Sequence, residues 1–528
     1  MPSDGFGLIA TNTTRQEMPI DKHERFPLER IFISFFGIIL LAFSVMYRIL
    51  RERKLEAFPV AGADLKNDKE RKDLYFRNPK SFLSENYHRF KGQIFRVISI
   101  EPYLVVPPKY IDEIKSSIVD NTEAVVAGMD EKNAAKYSTI YSDNQERNNI
   151  IKSKLMTHLG KVGSDVADEL EFAFETELPS AKEWTNITIF PILLQVVARM
   201  ASRTFVGPDL CRNEEWLRMS TSYTLTSFNA MKAIRKYPAW LRPIMAYFTP
   251  EVIEVQKLVR DAQTFLTPIV RAREEQKKMN PNYQKPNDMI QWAYDNMSPK
   301  QAANPLFLGH EQLVIAFASF HTTTSVLVQT LYDLVARPEY IEPLRVEIRH
   351  ILSEHDGQLT NSAMEQLKKM DSFMKESQRF SPNDYVLVRR YVQRDIKLSD
   401  GTLIPAGTLI KFPTTAMHFD PENISDPEKF DGFRFSKARE AGGGQGASHQ
   451  FAGVAKSSMN FGYGKHACPG RFFAAMEIKM ILVALLLRYD IRIVGEEGKR
   501  YPNLVTETAV RNPQPPPSPL LTMHTDPA

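Results

Sequence analysis

From Gly309 to Arg337 the chain sets Leu313, Phe317, Phe320 and Val328 on one stripe, and Pro338 closes the stretch. Apolar residues recurring at such intervals predict one long helix. Met364–Phe380 reads as a second helix, and Arg471–Met480 as a third. Helical patterns dominate from about residue 110 to about 380. Ahead of them, Ile94–Ile100 and Tyr103–Val106 read as short strands parted by Glu101-Pro102. Asp395–Ile410 returns to strand character, with turn signals at Asp400-Gly401 and Pro405-Ala406-Gly407. A few strands, then many helices, then strands and a last helix predict a mostly α fold with a minor β lobe.

Near the start, Ile31–Tyr47 is an apolar run of seventeen residues. As a helix it would span about 26 Å, the short limit for a bilayer. Arg48, Arg51, Arg53 and Lys54 follow at once, which favours a cytosolic C-terminal side. A cleaved signal would lie closer to Met1 and end in small residues. The organisation expected is a lumenal tail over 1–30, a transmembrane anchor over 31–50, a basic and proline hinge over 51–62, a large folded domain over 63–511, and an irregular Pro-rich tail over 512–528. Asn12-Thr13-Thr14 is a glycosylation sequon on the lumenal side of that arrangement.

Composition narrows the class. At 528 residues and 43 % hydrophobic, the chain is ample for a large core. No linker-like break or internal repeat divides the interior, so one large domain is expected after the anchor. A net charge of +4 with both signs interspersed gives no argument for nucleic acid. Two cysteines, Cys211 and Cys468, are too few for a disulfide scaffold and read as reduced thiols. The glycines of Ala441–Ala447 follow no strand and open no helix, so they read as loop rather than as a dinucleotide cradle.

The candidate chemistry lies in Phe461-Gly-Tyr-Gly-Lys-His-Ala-Cys468-Pro-Gly470. A thiol just ahead of a helix sees the helix's positive end, which favours thiolate. A thiolate in a Gly-relieved loop is a metal ligand, and haem iron is one recipient. The frame Phe-x-x-Gly-x-x-x-Cys-x-Gly resembles the haem-binding signature of the cytochrome P-450 family. Three more places extend the resemblance. Glu376-Ser-Gln-Arg379 lies about ninety residues before the cysteine, as the family's Glu-x-x-Arg helix does. Phe430-Asp-Gly-Phe-Arg434-Phe435 looks like the loop whose Arg joins that pair, with Gly-Phe-Arg-Phe where Pro-Glu-Arg-Phe is usual. Ala318-Ser-Phe-His-Thr322 resembles the oxygen-activation motif, with Ser319 for Gly and His321 for the acid. Three consecutive threonines at 322–324 also predict a local bend through back-bonding.

The resemblance implies a cytochrome P-450 fold behind one N-terminal transmembrane helix, and haem b with Cys468 as axial ligand and Phe461 beside it. It implies that Glu376, Arg379 and Arg434 form a buried salt-bridge cluster, a folding device. Thr322 would bond iron-bound oxygen or a water relay, and His321 would relay protons, since imidazole titrates near neutrality. His466, Arg390 (or its neighbour Arg389) and Lys152 would hold the haem propionates, with Lys152 where a Trp-x-x-x-Arg motif would fall. Electrons would come from NADPH through a separate FAD/FMN reductase, with cytochrome b5 as a further donor. The protein would sit in the endoplasmic reticulum membrane with its catalytic domain in the cytosol. The motif set looks like fungal secondary-metabolism members, which implies a small apolar substrate, a terpenoid. Specificity would lie around Ala124–Tyr137, Ser222–Lys232 and the helix near Phe317. A redox-neutral haem-thiolate isomerase or dehydratase, and a non-enzymatic membrane-anchored haem-binding protein, are the rival readings.

Overall fold

A computed structural model describes Met46 and residues 53–114, 119–120, 132–140, 145–180, 182–238, 240–302, 304–442, 446–494, 498–506, 509–511 and 521–525. The expected anchor over 31–50, the sequon at Asn12 and the stretch Ala124–Met129 fall almost wholly outside them, as do residues 512–520 of the tail. The helices that frame the site are α1 (Asp68–Arg77), α2 (Pro79–Arg89), α3 (Leu159–Glu177), α4 (Ile189–Phe205), α5 (Glu214–Ile234), α6 (Pro250–Met279), α7 (Pro305–Val335), α8 (Lys368–Phe380), α9 (Arg434–Glu440) and α10 (Arg471–Arg488).

The longest apolar stripe forms the longest helix. Asn304 caps α7 by accepting the N–H groups of Leu306 and Phe307, and Pro305 fills the first position, where a missing N–H costs nothing. The helix begins four residues before the expected start and continues without a break through the threonine triplet. It is long and apolar enough to cross a bilayer, yet 67 % of its most apolar window is buried. It is a core helix. Phe320, Leu327, Val328 and Leu331 are wholly buried, each burial stabilising by roughly 2 kcal/mol. Gly309 lets α6 come close: a Cβ there would stand 2.8 Å from the Gln263 Cα. Helices α3, α4, α5, α6 and α10 share one apolar core with α7.

The β lobe is a second, smaller core. Its strands are β1 (Phe95–Val97), β2 (Tyr103–Val105), β3 (Val119–Asp120), β4 (Leu387–Val392) and β5 (Leu409–Phe412), in the spatial order β1-β2-β5-β4-β3. β1 and β2 pair antiparallel through Phe95↔Val105, while β2 and β5 run parallel through Tyr103↔Leu409. Phe95, Val97, Tyr103, Val105 and Leu409 pack there against Tyr75 of α1 and Phe82 and Leu83 of α2. Mostly helical layers with small sheets are what the patterning predicted.

Four expectations change in detail. The Ile94–Ile100 strand shrinks to β1, because Ser99 turns its hydroxyl onto the Glu101 carbonyl. Met364–Phe380 is two helices, parted at Leu367 (ψ 74°). Asp395–Ile410 splits into a hairpin, Ile396–Lys397 with Leu403–Ile404, and then β5, because Gly401 and Gly407 both take positive φ. The tail is not irregular throughout. Leu521–Thr525 lies between Thr185–Ile187 and Tyr489–Ile493 as the middle strand of a three-stranded sheet, with Met523 buried. Beyond Pro519 the stretch Leu521-Thr-Met-His-Thr525 is free of proline and alternates with period two.

By contact the chain divides into residues 1–57 and residues 58–528. The boundary falls inside the expected hinge, because Pro59 and Ala61 already belong to the β lobe. Arg96 N–H donates to the Pro59 carbonyl at 2.7 Å, and Ala61 N–H to the Arg96 carbonyl at 2.8 Å.

Candidate haem-thiolate site

The loop before α10 folds back on itself. Cys468 N–H donates to the Phe461 carbonyl at 2.7 Å, and Gly462 N–H to the Met459 carbonyl at 2.8 Å. Gly462 has φ +79°, and a Cβ there would meet the His466 carbonyl at 3.3 Å, so the turn needs glycine. Phe461, half-buried, stands edge-on to Phe451 at 5.3 Å. The Cys468 thiol lies ahead of Arg471, where α10 starts. Burial pushes it up; the backbone N–H groups of Gly470 and Arg471, together with the Arg471 charge, pull it down. Donors aimed at sulfur stabilise its negative form, the form that ligates metal. Cys211, by contrast, is pushed up to about 12 by burial and is inert.

On α7, Ala318 and Thr322 are exposed one turn apart, although the helix around them is buried. That face opens onto space rather than onto packed side chains. Thr322 Oγ1 donates to the Ala318 carbonyl at 2.7 Å and lies 3.2 Å from that of Ser319. Both lone pairs of the hydroxyl oxygen are left for an acceptor role at the open face. Phe205 of α4 bridges to the thiolate helix: its ring is 6.2 Å from Phe320 of α7 and 6.0 Å from Phe473 of α10. His321 turns to the flank. Its Nε2 lies 3.0 Å from the Thr221 carbonyl of α5, so it carries the proton there, and its ring is 6.3 Å from Phe190.

The candidate propionate partners sit on three different elements. Arg390 is buried on β4, where the register with β5 shifts between Leu387 and Arg390. Val388, inside this bulge, has φ +52°, a region β-branched residues avoid. The bulge turns Arg389 onto Asp384 and buries Arg390, whose guanidinium burial pushes down to about 10. A buried cation so shifted is suited to an anionic carboxylate. His466 is half-buried in the short turn Gly464–His466, and Lys152 is exposed on a π-helical turn, Ile151–Leu155.

Glu376, Arg379 and Arg434 meet. Arg379 Nη2 and Nε donate to the two Glu376 carboxylate oxygens at 2.8 and 2.9 Å, and Arg434 Nε approaches Oε1 at 3.4 Å. Arg379 Nη1 also donates to the carbonyls of His418 and Pro427, and Asp431 N–H caps Glu376 at 3.0 Å. The Arg379 N–H groups all have acceptors, and both Glu376 oxygens have donors, which is the condition on which buried charge persists. The cluster ties α8 to the loop ahead of α9.

Around the open face, Tyr223 lies within the expected specificity stretch Ser222–Lys232, whereas Thr139, His310, Arg147 and Glu311 carry no signal in the sequence. Thr139, Tyr223 and His310 converge from three segments, and Arg147 pairs with buried Glu311 at 2.9 Å. Their separations of 84, 171 and 164 residues leave no local signal.

These residues fit a haem: a half-buried thiol with two N–H donors, an exposed alanine–threonine face on a core helix, and a buried arginine. The cytochrome P450 (P-450) family profile matches residues 144–518. The chain is 39 % identical to the cytochrome P-450 monooxygenase olcJ of Penicillium canescens over 452 residues, 84 % of each protein. It is 37 % identical to the monooxygenase BOA4 of Botryotinia fuckeliana over 463 residues, 87 % of this chain and 90 % of that one. It is 36 % identical to the monooxygenase braC of Annulohypoxylon truncatum over 471 residues, 88 % of this chain and 93 % of that one.

Proposed function

We propose that this chain, which belongs to the cytochrome P-450 family, is a membrane-bound monooxygenase that oxidises an apolar terpenoid in a fungal secondary-metabolite pathway. It is an oxygen-incorporating oxidoreductase, and the family implies haem-thiolate iron. Bound haem supplies dioxygen activation and insertion of one oxygen atom into an unactivated C–H bond.

The chain's own residues have distinct tasks in this reading. Cys468 would hold the iron, and the Gly470 and Arg471 N–H groups, with the Arg471 charge, favour its anionic form against the burial that pushes the free thiol up. Phe461, whose carbonyl takes the Cys468 N–H, would flank the sulfur. Arg390, His466 and Lys152 would take the propionates, with Arg390 the buried one of the three. Thr322 accepts a water's proton bond at the open face while its own hydroxyl proton stays on the Ala318 carbonyl. His321, with its Nε2 proton on the Thr221 carbonyl, spaces α5 from α7; to pass a proton it must first let go of that carbonyl. Phe317, with Phe228 at 5.6 Å and Tyr223 at 6.2 Å, gives the face an aromatic flank suited to an apolar substrate. Electrons reach the site from NADPH through a separate FAD/FMN reductase, with cytochrome b5 as an alternative donor. Residues 31–50 anchor the protein in the endoplasmic reticulum membrane.

The observation that carries the reading is the half-buried Cys468 thiol with two backbone N–H donors on its sulfur. Cys468→Ser in the full chain, expressed in microsomes, should abolish the red-shifted carbon monoxide Soret band of thiolate-ligated haem. An unaltered band in the variant overturns the assignment. Feeding terpenoids to unmodified microsomes with reductase and NADPH tests the substrate. Oxidation of some other scaffold but no terpenoid would refute that part alone.

A further inference from the structure

We propose that Tyr223 is a positioning residue for the substrate: it pins Thr139 in a left-handed backbone conformation and so fixes the aromatic wall beside the Ala318–Thr322 face. Thr139 has φ 61° and ψ 0°. A β-branched residue in that region is strained, and such strain persists only where the surroundings over-determine it.

Here the surroundings are three polar contacts from two helices. Tyr223 O–H, on α5, donates to the Thr139 carbonyl at 3.0 Å. The same phenol oxygen lies 2.9 Å from the Thr139 hydroxyl. His310, on α7, donates from Nε2 to that carbonyl at 2.8 Å. Just before Thr139, the short helical turn Lys136–Ser138 rests on α5 and α6, and Tyr137 and Ile140 pack on the main core. The clasp therefore joins this turn to α5 through Tyr223 and to α7 through His310. Tyr223 is itself buried, and burial pushes its phenol up to about 12, so the hydroxyl keeps its proton at working pH.

The ring of Tyr223 does the second half of the task. It stands edge-on to Phe317, at 6.2 Å and 75°. Phe317 meets Phe228 at 5.6 Å and directly precedes exposed Ala318. One side chain thus holds a strained turn with its oxygen and the flank of the open face with its ring. Without the hydroxyl, the Thr139 carbonyl keeps only His310, the left-handed backbone is released, and the turn no longer seats the Tyr223 ring against Phe317. A bulky apolar molecule at Thr322 then loses a wall of fixed position.

The spectral part of the test rests on the haem-thiolate reading; the exchange part does not. In the full-length protein, Tyr223→Phe should raise amide hydrogen exchange over 137–140 and weaken binding of 4-phenylimidazole, followed by its Soret shift, by about fivefold or more. Adding Thr139→Gly should restore most of both, because glycine holds positive φ without a clasp. A merely structural role for Tyr223 predicts a lower thermal midpoint and no recovery from the glycine. Unchanged exchange in Tyr223→Phe overturns the proposal, as does a loss of affinity that Thr139→Gly leaves in place. Should Tyr223→Phe not fold, His310→Gln takes its place and must raise exchange over the same residues. A missing Soret band in the unmodified protein would refute the haem assignment, and exchange would still decide the clasp.

Discussion

Glu376 and Arg379 show a three-residue spacing becoming a joint between elements. The spacing puts both groups on one face of α8, which is local information. Their value comes from what surrounds them: the Arg379 side chain is 2 % exposed and that of Glu376 is 0 %. Arg379→Ala would leave a buried carboxylate opposed only by the edge of Arg434, and should cost about 3–5 kcal/mol. Urea denaturation followed by tryptophan fluorescence would measure it, and a loss below about 1 kcal/mol would show the cluster to be dispensable. The neighbouring His418 adds a pH dependence. It is buried, and burial, with the Lys375 and Arg379 charges, pushes its imidazole down to about 3. Below the ordinary histidine value of 6.5 the unfolded chain takes up a proton that the folded chain refuses. Stability from this residue is therefore present above that value and is lost as pH falls toward about 3, at up to about 1.4 kcal/mol per pH unit. His418→Asn should flatten the fall of thermal midpoint between neutrality and mild acid, and an unchanged slope would remove His418 as its source.

At the scale of elements, what the sequence made legible was local and what it hid was long-range. The Cys468 loop could be read because its glycines, thiol and following helix lie within a few residues of one another. α7 could be read from its stripe, but the side to which His321 turns could not, since its partner Thr221 is 100 residues away. The bulge at Val388 has no signature either; its positive φ comes from pairing with β5, and nothing in Leu-Val-Arg-Arg announces it. The tail shows composition misleading outright. Its prolines argued for an irregular end, yet Leu521–Thr525 completes a sheet whose other two strands have only this one between them. Ending the chain at Arg511 would expose both partner edges and uncover the core around Met523. The loss should be on the order of 3 kcal/mol, from one buried methionine and several ladder bonds. A thermal melt of the truncated protein tests it, and an unchanged midpoint would mean that the strand is an ornament on a sheet that does not need it.

For the molecule as a whole, the question is where the anchor ends and the folded enzyme begins. The family resemblance implied a hinge reaching residue 62, because Phe58-Pro-Val-Ala-Gly62 looks like the proline-bearing segment that follows the anchor in microsomal members. The contacts put the break between Ala57 and Phe58 instead. Two backbone bonds to Arg96 make the difference, and Ala61 is wholly buried in the β lobe. Asn86, buried on α2, also accepts the Gly62 N–H at 2.9 Å. A proline-rich segment can thus be part of a core while still ending an anchor, since proline needs no donor at a sheet edge. The two boundaries predict different proteins. Removing residues 1–52 takes away the apolar run with Arg48 and Arg51 of its basic flank but none of the bonds to Arg96. That form should leave the membrane fraction in a flotation assay and keep its carbon monoxide spectrum. Removing residues 1–62 takes away both Arg96 bonds and the Ala61 contact, and orphans the buried Asn86 oxygen, at about 1–3 kcal/mol for that group alone. It should melt lower and lose haem faster than the shorter deletion. If the two truncations were equally stable, the segment from Phe58 to Gly62 would be linker after all; if the shorter one still floated with lipid, the membrane contact would have to lie within the folded enzyme itself.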